Sequence, residues 1–349
     1  MGPAALTPKC GPNIVINTKK PLYLLQTGKL DSENIDQCFE LKDGRIIANI
    51  NFHHTLIYNL LNPILVDIKI DHSIFNNSRI LNIYQLDDGI LIFSGYSSEI
   101  RLIQLESKSY KIIRRINMHN YLTSCDVNNC CRLSNGQLAF SLYSNFLGSG
   151  AIALLGYDTI AKNLIYYYHF ELTGIQVNKI IECKNNEVLL IRSNLYNKEY
   201  AFFNLKEQKT ILTLERKQIC DPIKLNENFI LFENLEKIEI INLDNHTIYY
   251  TIDLADLGYK YAIRNFLKFD DNTLFVGDYV GNIYKFSINY YDINILNFIE
   301  VFRADKSSID ILAKYQGNKL ISTSNKDENI KIWDLSSLNN NNNLLNYYY

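Results

Sequence analysis

The sequence predicts an all-β fold, a seven-bladed β-propeller in which each blade is a four-stranded antiparallel sheet. A pattern of two apolar segments around a tight turn recurs seven times, at intervals of 42 to 50 residues. A third and a looser fourth apolar segment follow in the copies, so one copy supplies the strands of one blade. The 349 residues, 47% of them apolar, suffice for a single large β domain.

Each copy of the pattern is centred on a turn that ends in Gly or Asn. These two residues accept the positive φ of tight hairpin turns more readily than other residues do. Because apolar segments lie directly before and after, each turn predicts a β-hairpin. The seven turns are Lys42-Asp43-Gly44, Asp87-Asp88-Gly89, Ser134-Asn135-Gly136, Lys184-Asn185-Asn186, Asn226-Glu227-Asn228, Asp270-Asp271-Asn272 and Gln316-Gly317-Asn318.

The two ends of the repeat array predict how the ring closes. The last copy ends after its third strand, at Leu335, and a spare apolar segment, PLYLLQTG at 21–28, precedes the first copy. We therefore expect this N-terminal segment to form the outer strand of the last blade. The predicted propeller covers residues 20–337, with an extension at 1–19 and a flexible, Asn- and Tyr-rich tail at 338–349.

The last copy, LISTSNKDENIKIWDL at 320–335, resembles the end of a WD repeat. In that family a Trp, a Ser or Thr, an Asp and a His form a hydrogen-bonded group that stabilises a blade. Ala304-Asp305 stands where the family has Gly-His, so the group is incomplete here. The resemblance implies a rigid platform for other proteins, although a fold alone does not fix a function. The residues that match the WD pattern are Ser322, Asp327, Trp333 and Asp334.

Composition and charge narrow the classes of partner. The net charge is −2 and both signs are mixed along the chain, which predicts no nucleic-acid-binding arm. The N-terminus has no apolar core of signal-peptide length, and charged residues break the most apolar stretches, so we expect no membrane insertion. Seven cysteines without a Cys-x-x-Cys pair favour a reducing, intracellular location, which we take as the cytoplasm.

No catalytic pattern stands out in the loops. The sequence has no His-Glu-x-x-His, phosphate-binding Gly-rich loop or Gly-x-Ser-x-Gly elbow. We interpret the cluster of Cys125, Cys130 and Cys131 as small apolar residues of a strand rather than metal ligands. Arg114-Arg115 is followed by Ile rather than the Gly of a phosphoinositide-binding motif. The prediction is a protein that is not an enzyme and has no cofactor and no metal.

A large apolar residue recurs at the turn from the second to the third strand in six copies. In WD propellers this turn lies on the same face as the loops between blades. Exposed aromatic side chains act as anchors in interfaces because they bury much area with few rotamers to freeze. Two interpretations stay open, a ring that binds a partner and side chains that fold inward as part of the core. The residues are Phe52, Tyr96, Phe146, Tyr196, Leu235 and Tyr279.

The function predicted from these patterns is a non-catalytic scaffold or adaptor that binds one or more proteins or peptides on this loop face. One alternative is a constitutive subunit of a large assembly. Another is a propeller that binds a phosphoinositide or a small ligand. A ligand site in the central channel would require converging polar residues there, which no motif in the sequence reveals. The sequence leaves the oligomeric state open.

Overall fold

The computed structural model is an all-β ring of seven sheets. Within the described residues, no helix is long and apolar enough to cross a membrane. Two short 3₁₀ helices, His72–Phe75 and Met118–Asn120, follow outer strands. The structure describes residues 17–18, 23–26, 35–50, 54–59, 66–75, 78–120, 125–144, 149–172, 176–184, 186–193, 198–216, 220–234, 237–254, 262–292, 294–324 and 329–336.

Each of the first three blades is a meander of four antiparallel strands, taken in chain order. Blade one has β3 (Ile35–Glu40), β4 (Ile46–Ile50), β5 (His54–Tyr58) and β6 (Val66–Asp71). Blade two has β7 (Ile80–Gln85), β8 (Leu91–Gly95), β9 (Ser97–Leu105) and β10 (Tyr110–Asn117). Blade three has β11 (Asp126–Arg132), β12 (Leu138–Ser144), β13 (Ser149–Asp158) and β14 (Asn163–Leu172).

The next three blades repeat this order. Blade four has β15 (Val177–Lys184), β16 (Glu187–Ser193), β17 (Lys198–Asn204) and β18 (Lys209–Arg216). Blade five has β19 (Ile223–Lys224), β20 (Phe229–Asn234), β21 (Lys237–Asn242) and β22 (Thr247–Asp253). Blade six has β23 (Ile263–Asp270), β24 (Thr273–Asp278), β25 (Asn282–Ile288) and β26 (Leu296–Arg303).

Blade seven is built from both ends of the array. Its first three strands are β27 (Ile309–Tyr315), β28 (Lys319–Ser324) and β29 (Asn329–Asp334), and β2 (Tyr23–Gln26) is the fourth. β2 pairs with β29 in antiparallel register over its whole length. The predicted closure by the segment at 21–28 is therefore confirmed, as is the seven-bladed fold.

A strand outside the predicted array extends blade six. β1 (Asn17–Thr18) runs parallel to β26, with Asn17 opposite Phe302. It lies in the segment at 1–19 for which the sequence predicts only an extension, because a strand of two residues is too short to show a strand pattern. The tail at 338–349 lies outside the described residues, and the domain boundaries at 20 and 337 stay predictions.

The hydrophobic core is divided among the blade-to-blade interfaces. Seven apolar clusters are formed by the described residues, and each draws its members from two neighbouring blades. Tyr58 of blade one and Tyr315 of blade seven, for example, share the cluster that completes the ring. Every residue of β4 and β8 is buried, because both faces of a blade are covered by its neighbours. The continuous apolar segments of the sequence have this physical origin.

The WD-like residues of blade seven form part of the expected group. Trp333 is 3% exposed, and its Nε1 donates to Ser322 Oγ at 2.8 Å. Asp305, at the position of the missing His, is buried and forms an ion pair with Lys331 at 2.5 Å. Asp334 accepts a hydrogen bond from the Ser336 backbone amide at 2.8 Å. The predicted turn residue Asp327 lies outside the described part of the chain.

We predict that Ser322→Ala destabilises the fold, because it leaves the buried indole N–H of Trp333 without its acceptor. The expected loss is about 1–3 kcal/mol in the free energy of unfolding, measured by urea denaturation. Ser322→Thr retains a hydroxyl and should lose less than Ser322→Ala. Equal losses for the two variants would show that the hydrogen bond is not the origin of the effect.

Gly281 should be more sensitive to substitution than another glycine with a similar φ. Gly281 has a φ of +96°, and a Cβ there would lie 2.4 Å from the carbonyl oxygen of Asp305. Gly89 has a φ of +85° but open space around a Cβ. We expect Gly89→Ala to lower the free energy of unfolding by about 1–2 kcal/mol through backbone strain. Gly281→Ala should lower it by about 1–3 kcal/mol more, because the added methyl group is overpacked. Urea denaturation of both variants checks this, and similar losses would contradict it.

Candidate functional site

A central cavity of about 590 Å³ lies where the inner strands of the blades converge. In six blades the register of the inner strand shifts at a β-bulge near its first residue. A bulge re-aims side chains, and here the bulged residues line the cavity. In blade five Pro222 precedes the inner strand and has no N–H to donate to a neighbouring strand. Asp221 lines the cavity there, at the position that the bulged residues have in the other blades. The bulged residues are Asp36, Leu81, Asn128, Asn178, Arg264 and Asp310.

Side-chain amides next to the bulges link neighbouring blades. Gln37 Nε2 donates to Asn82 Oδ1 at 3.1 Å, and Gln37 Oε1 accepts from the Ile83 backbone N–H at 2.7 Å. Asn129 accepts from the Ile180 backbone N–H at 3.2 Å in the same way and donates to Asn82 Oδ1 at 3.4 Å. The polar wall of the cavity is thus also a connection between blades one to four.

Three ion pairs around the cavity also join neighbouring blades. Each pairs one carboxylate with one cation, so these six side chains together contribute no net charge to the wall. The side chains are partly shielded from water, which strengthens such pairs relative to fully exposed ones. The pairs are Asp36 with Arg79 at 2.7 Å, Lys179 with Asp221 at 3.2 Å, and Arg264 with Asp310 at 2.9 Å.

Burial raises the pKa of two groups in the cavity. Burial raises the pKa of Asp36 above its usual range, and the hydrogen bond and charge of Arg79 offset this only in part. Burial also raises the pKa of the Cys38 thiol to about 12, so this thiol is protonated and a poor nucleophile at neutral pH. No group of three His, Cys, Asp or Glu side chains in the described segments could hold a metal ion.

Two residues of the predicted apolar ring are exposed beside the arginines of two of these ion pairs. The side chain of Tyr96 is 48% exposed and that of Tyr279 is 38% exposed. The Tyr96 backbone N–H donates to the Arg79 carbonyl at 3.0 Å, and Arg264 Nη1 donates to Tyr279 Oη at 3.1 Å. Both tyrosines therefore contact residues that supply a cation to the ion pairs of the cavity. Their role in binding stays a prediction.

The other four ring residues cannot be placed in the same way. Phe52, Phe146, Tyr196 and Leu235 all lie outside the described residues.

The polar cavity is the feature that the sequence analysis missed. Its signal was present as pairs of adjacent polar residues seven and eight positions before the Gly or Asn of a turn. In the sequence, such a pair cannot be told from polar residues on the two faces of an ordinary strand. In the structure, the bulge allows both residues of the pair to line the cavity. Four blades carry such a pair, namely Asp36-Gln37, Asn128-Asn129, Asn178-Lys179 and Arg264-Asn265.

Comparison with solved structures supports the fold. The chain is similar to the Dos1 propeller, with 11% identity and a TM-score of 0.60 over 87% of this chain and 78% of that one. It is similar to Sqt1 of Saccharomyces cerevisiae, with 9% identity and a TM-score of 0.60 over 91% and 99% of the two chains. It is similar to BamB of Moraxella catarrhalis, with 12% identity and a TM-score of 0.54 over 90% of this chain and 99% of that one. At these identities the likeness shows the fold alone.

Comparison with known sequences does not show a family. No family model matches the chain. It is 24% identical over 342 residues to botulinum neurotoxin type D of Clostridium botulinum D phage, covering 85% of this chain and 25% of the toxin. It is 27% identical over 208 residues to the β″ subunit of DNA-directed RNA polymerase of Plasmodium falciparum, covering 57% of this chain and 20% of the subunit. The chain thus spans about a quarter and a fifth of these two proteins.

The ion pair between Asp36 and Arg79 should couple blades one and two measurably. We expect a coupling energy of about 1–2 kcal/mol from the double-mutant cycle of Asp36→Asn and Arg79→Met, because the pair is bidentate and mostly shielded. The matched control is the exposed pair of Lys42 and Asp87, for which about 0–0.5 kcal/mol is expected. Urea unfolding of the parent protein and the six variants provides both values, and equal coupling would contradict the prediction.

Proposed function

We propose that this chain is a non-catalytic, intracellular scaffold or adaptor that binds a protein or peptide partner on the face where the central cavity opens. The observation that carries the proposal is the exposure of Tyr96 and Tyr279 beside the arginines of the ion pairs around the cavity. An exposed Tyr combines a large apolar surface with a hydroxyl that can bond to a partner, which suits it to an interface. Exposure also favours the binding interpretation of these two residues over the inward-packing one.

The backbone of Tyr96 and the side chain of Tyr279 are held in place before any partner arrives. A Cβ on Gly95 would lie 2.0 Å from the Arg79 carbonyl oxygen, so this glycine allows the close approach that positions Tyr96. The guanidinium of Arg264 lies 5.4 Å from the ring centroid of Tyr279 and donates to its hydroxyl. Anchors that are already ordered lose less conformational entropy on binding, which raises affinity.

The wider surface proposed for the partner is the whole ring predicted from the sequence. In the sequence, Phe52, Phe146, Tyr196 and Leu235 stand at the corresponding position of four other copies of the repeat. A partner that covers the mouth would meet apolar anchors at the rim and paired, neutralised charges nearer the axis. Such a division between apolar anchors and polar surroundings is typical of protein interfaces.

The test compares two double variants with matched exposure. Tyr96→Ser with Tyr279→Ser removes anchors at the mouth, whereas Tyr167→Ser with Tyr249→Ser removes side chains that are 48% and 49% exposed on outer strands. Tagged proteins are captured from native cells, and co-purified proteins are quantified by mass spectrometry. We expect at least a tenfold loss of specific partners for the first variant only, with both melting temperatures near the parent value. A stability loss with partners retained in the first variant would refute the proposal.

A further inference from the structure

We propose that the outer strand of blade two binds an extended, acidic segment of a partner protein, which adds to the blade as a fifth strand. The surface is the free edge of β10, on the outside of the ring, so the inference goes beyond the loop face of the scaffold proposal. Three observations lead to it, namely the charge of β10, its unpaired edge and the strand that this chain itself adds to blade six.

Every charged residue of β10 is basic. Lys111, Arg114 and Arg115 are exposed, and none of them forms an ion pair with a described residue. The one acidic residue of the neighbouring strand β9, Glu99, is already paired with Arg101. In a chain whose net charge is −2, β10 is therefore a local strip of positive charge that no acid neutralises.

The charge of β10 is not a general property of the outer strands. β6, β18 and β26 each carry both signs of charge. β14 and β22 carry an acid and no Lys or Arg, and β2 carries no charge. Among the outer strands that the structure describes, β10 alone combines several cations with no acid, so the repeat itself does not account for the strip.

β10 also presents a free backbone edge. It pairs with β9 on one side and with no described strand on the other. A strand at the edge of a sheet directs N–H and C=O groups outward, where another extended chain can pair with them. Like charges on such an edge repel the same strand of a second copy. They attract a strand with acidic side chains, because opposite charges on neighbouring strands stabilise a sheet.

Blade six shows where an added strand fits. β1 lies parallel to its outer strand β26, with Asn17 opposite Phe302. Both outer strands have a bulge at the equivalent place, at Ile299 in β26 and at Ile113 in β10. Counted from these bulges, Phe302 corresponds to Ile116 of blade two. An extended segment can therefore take the same place on blade two, directly after the two arginines of β10.

Two other kinds of anionic partner fit β10 less well. Proteins that lie on a membrane insert apolar side chains as well as using cations, but the three isoleucines of β10 are half-buried. Single-stranded nucleic acid stacks on exposed aromatic rings, and the one aromatic residue of β10, Tyr110, is half-buried. A peptide strand uses the free backbone edge, which the other two do not require.

The experiment measures the binding of defined probes to the purified full chain by fluorescence anisotropy. The main probe is a labelled peptide of about ten residues that repeats Val-Thr-Glu, which favours a strand and places acids on both of its faces. One control peptide repeats Val-Thr-Lys and has the opposite charge. Another repeats Val-Pro-Glu, which keeps the charge but cannot form the strand hydrogen bonds. We expect the main probe to bind at least tenfold more tightly than either control.

The other outcomes overturn the proposal. No binding of the Val-Thr-Glu peptide would show that the cations only protect the edge from pairing. Equal binding of the Val-Pro-Glu peptide would show attraction between charges without an added strand. Tighter binding of oligouridylate, or of vesicles that contain phosphatidylserine, would assign β10 to nucleic acid or to a membrane. Binding that does not weaken from about 0.05 M to about 0.5 M NaCl would exclude the exposed cations as its origin.

Two double variants with the same change in net charge locate the binding. Arg114→Glu with Arg115→Glu should weaken binding of the Val-Thr-Glu peptide at least tenfold. Lys206→Glu with Lys306→Glu changes exposed cations in connections outside blade two and should leave binding unchanged. Hydrogen–deuterium exchange of the parent protein needs no variant, because an added strand should slow the exchange of β10 amides. Equal losses in the two variants, or unchanged exchange with the peptide bound, would overturn the proposal.

The outcome is separate from that of the scaffold proposal. The Tyr96→Ser and Tyr279→Ser variant should bind the peptide as the parent does, because neither tyrosine lies on β10. The variant of the two arginines changes the outer strand and leaves both tyrosines in place. Failure of either proposal therefore shows in a different variant and a different measurement.

Discussion

The structure depends on the burial of apolar surface between neighbouring blades. Each described apolar cluster is shared by two blades, so a single blade has no core of its own. A sheet of four short strands is marginal alone, and its stability comes from being covered on both faces. The ring therefore acts as one cooperative unit, in which the interface of blades seven and one is as necessary as any other. The inner strands, the bulges and the cavity keep their positions because this packing holds them.

Most of the fold could be predicted because the repeat encodes it locally. The turn at Lys42-Asp43-Gly44 and its six counterparts mark the hairpins. Gly44 has a positive φ of +83°, whereas no residue of the turns that end at Asn228 and Asn272 has a positive φ. The closing strand followed from a simple count, since the last copy lacked a strand and the N-terminus had one to spare. β1 was missed, because a two-residue strand has no period and pairs only where tertiary structure brings it to blade six.

The site was harder to predict than the fold, for a geometric reason. The apolar ring could be proposed because its residues recur at one place in the repeat; Tyr96 and Tyr279 are exposed, and the ring as a binding site stays a prediction. The ion pairs could not, because Asp36 and Arg79 lie 43 positions apart and are joined only by the approach of two blades. The residues at the corresponding positions of other blades differ in charge and identity, so the ion pairs do not repeat as one motif. The pairs of adjacent polar residues recur in four blades, but the sequence alone does not show that a bulge lets both residues of a pair line the cavity, because a bulge re-aims side chains only once the strand is packed in its sheet.

The composite last blade ties the order of synthesis to the order of folding. β2 is made before blade one, yet its place in the sheet exists only after β29 has been made. The first six blades can associate while the chain grows, but the ring stays open, with one apolar flank of blade one uncovered, until the final blade arrives. That flank is a surface that a chaperone could shield during translation. A circular permutant with new termini between two intact blades would make the blade from one continuous segment, and its folding would no longer depend on joining the two natural ends.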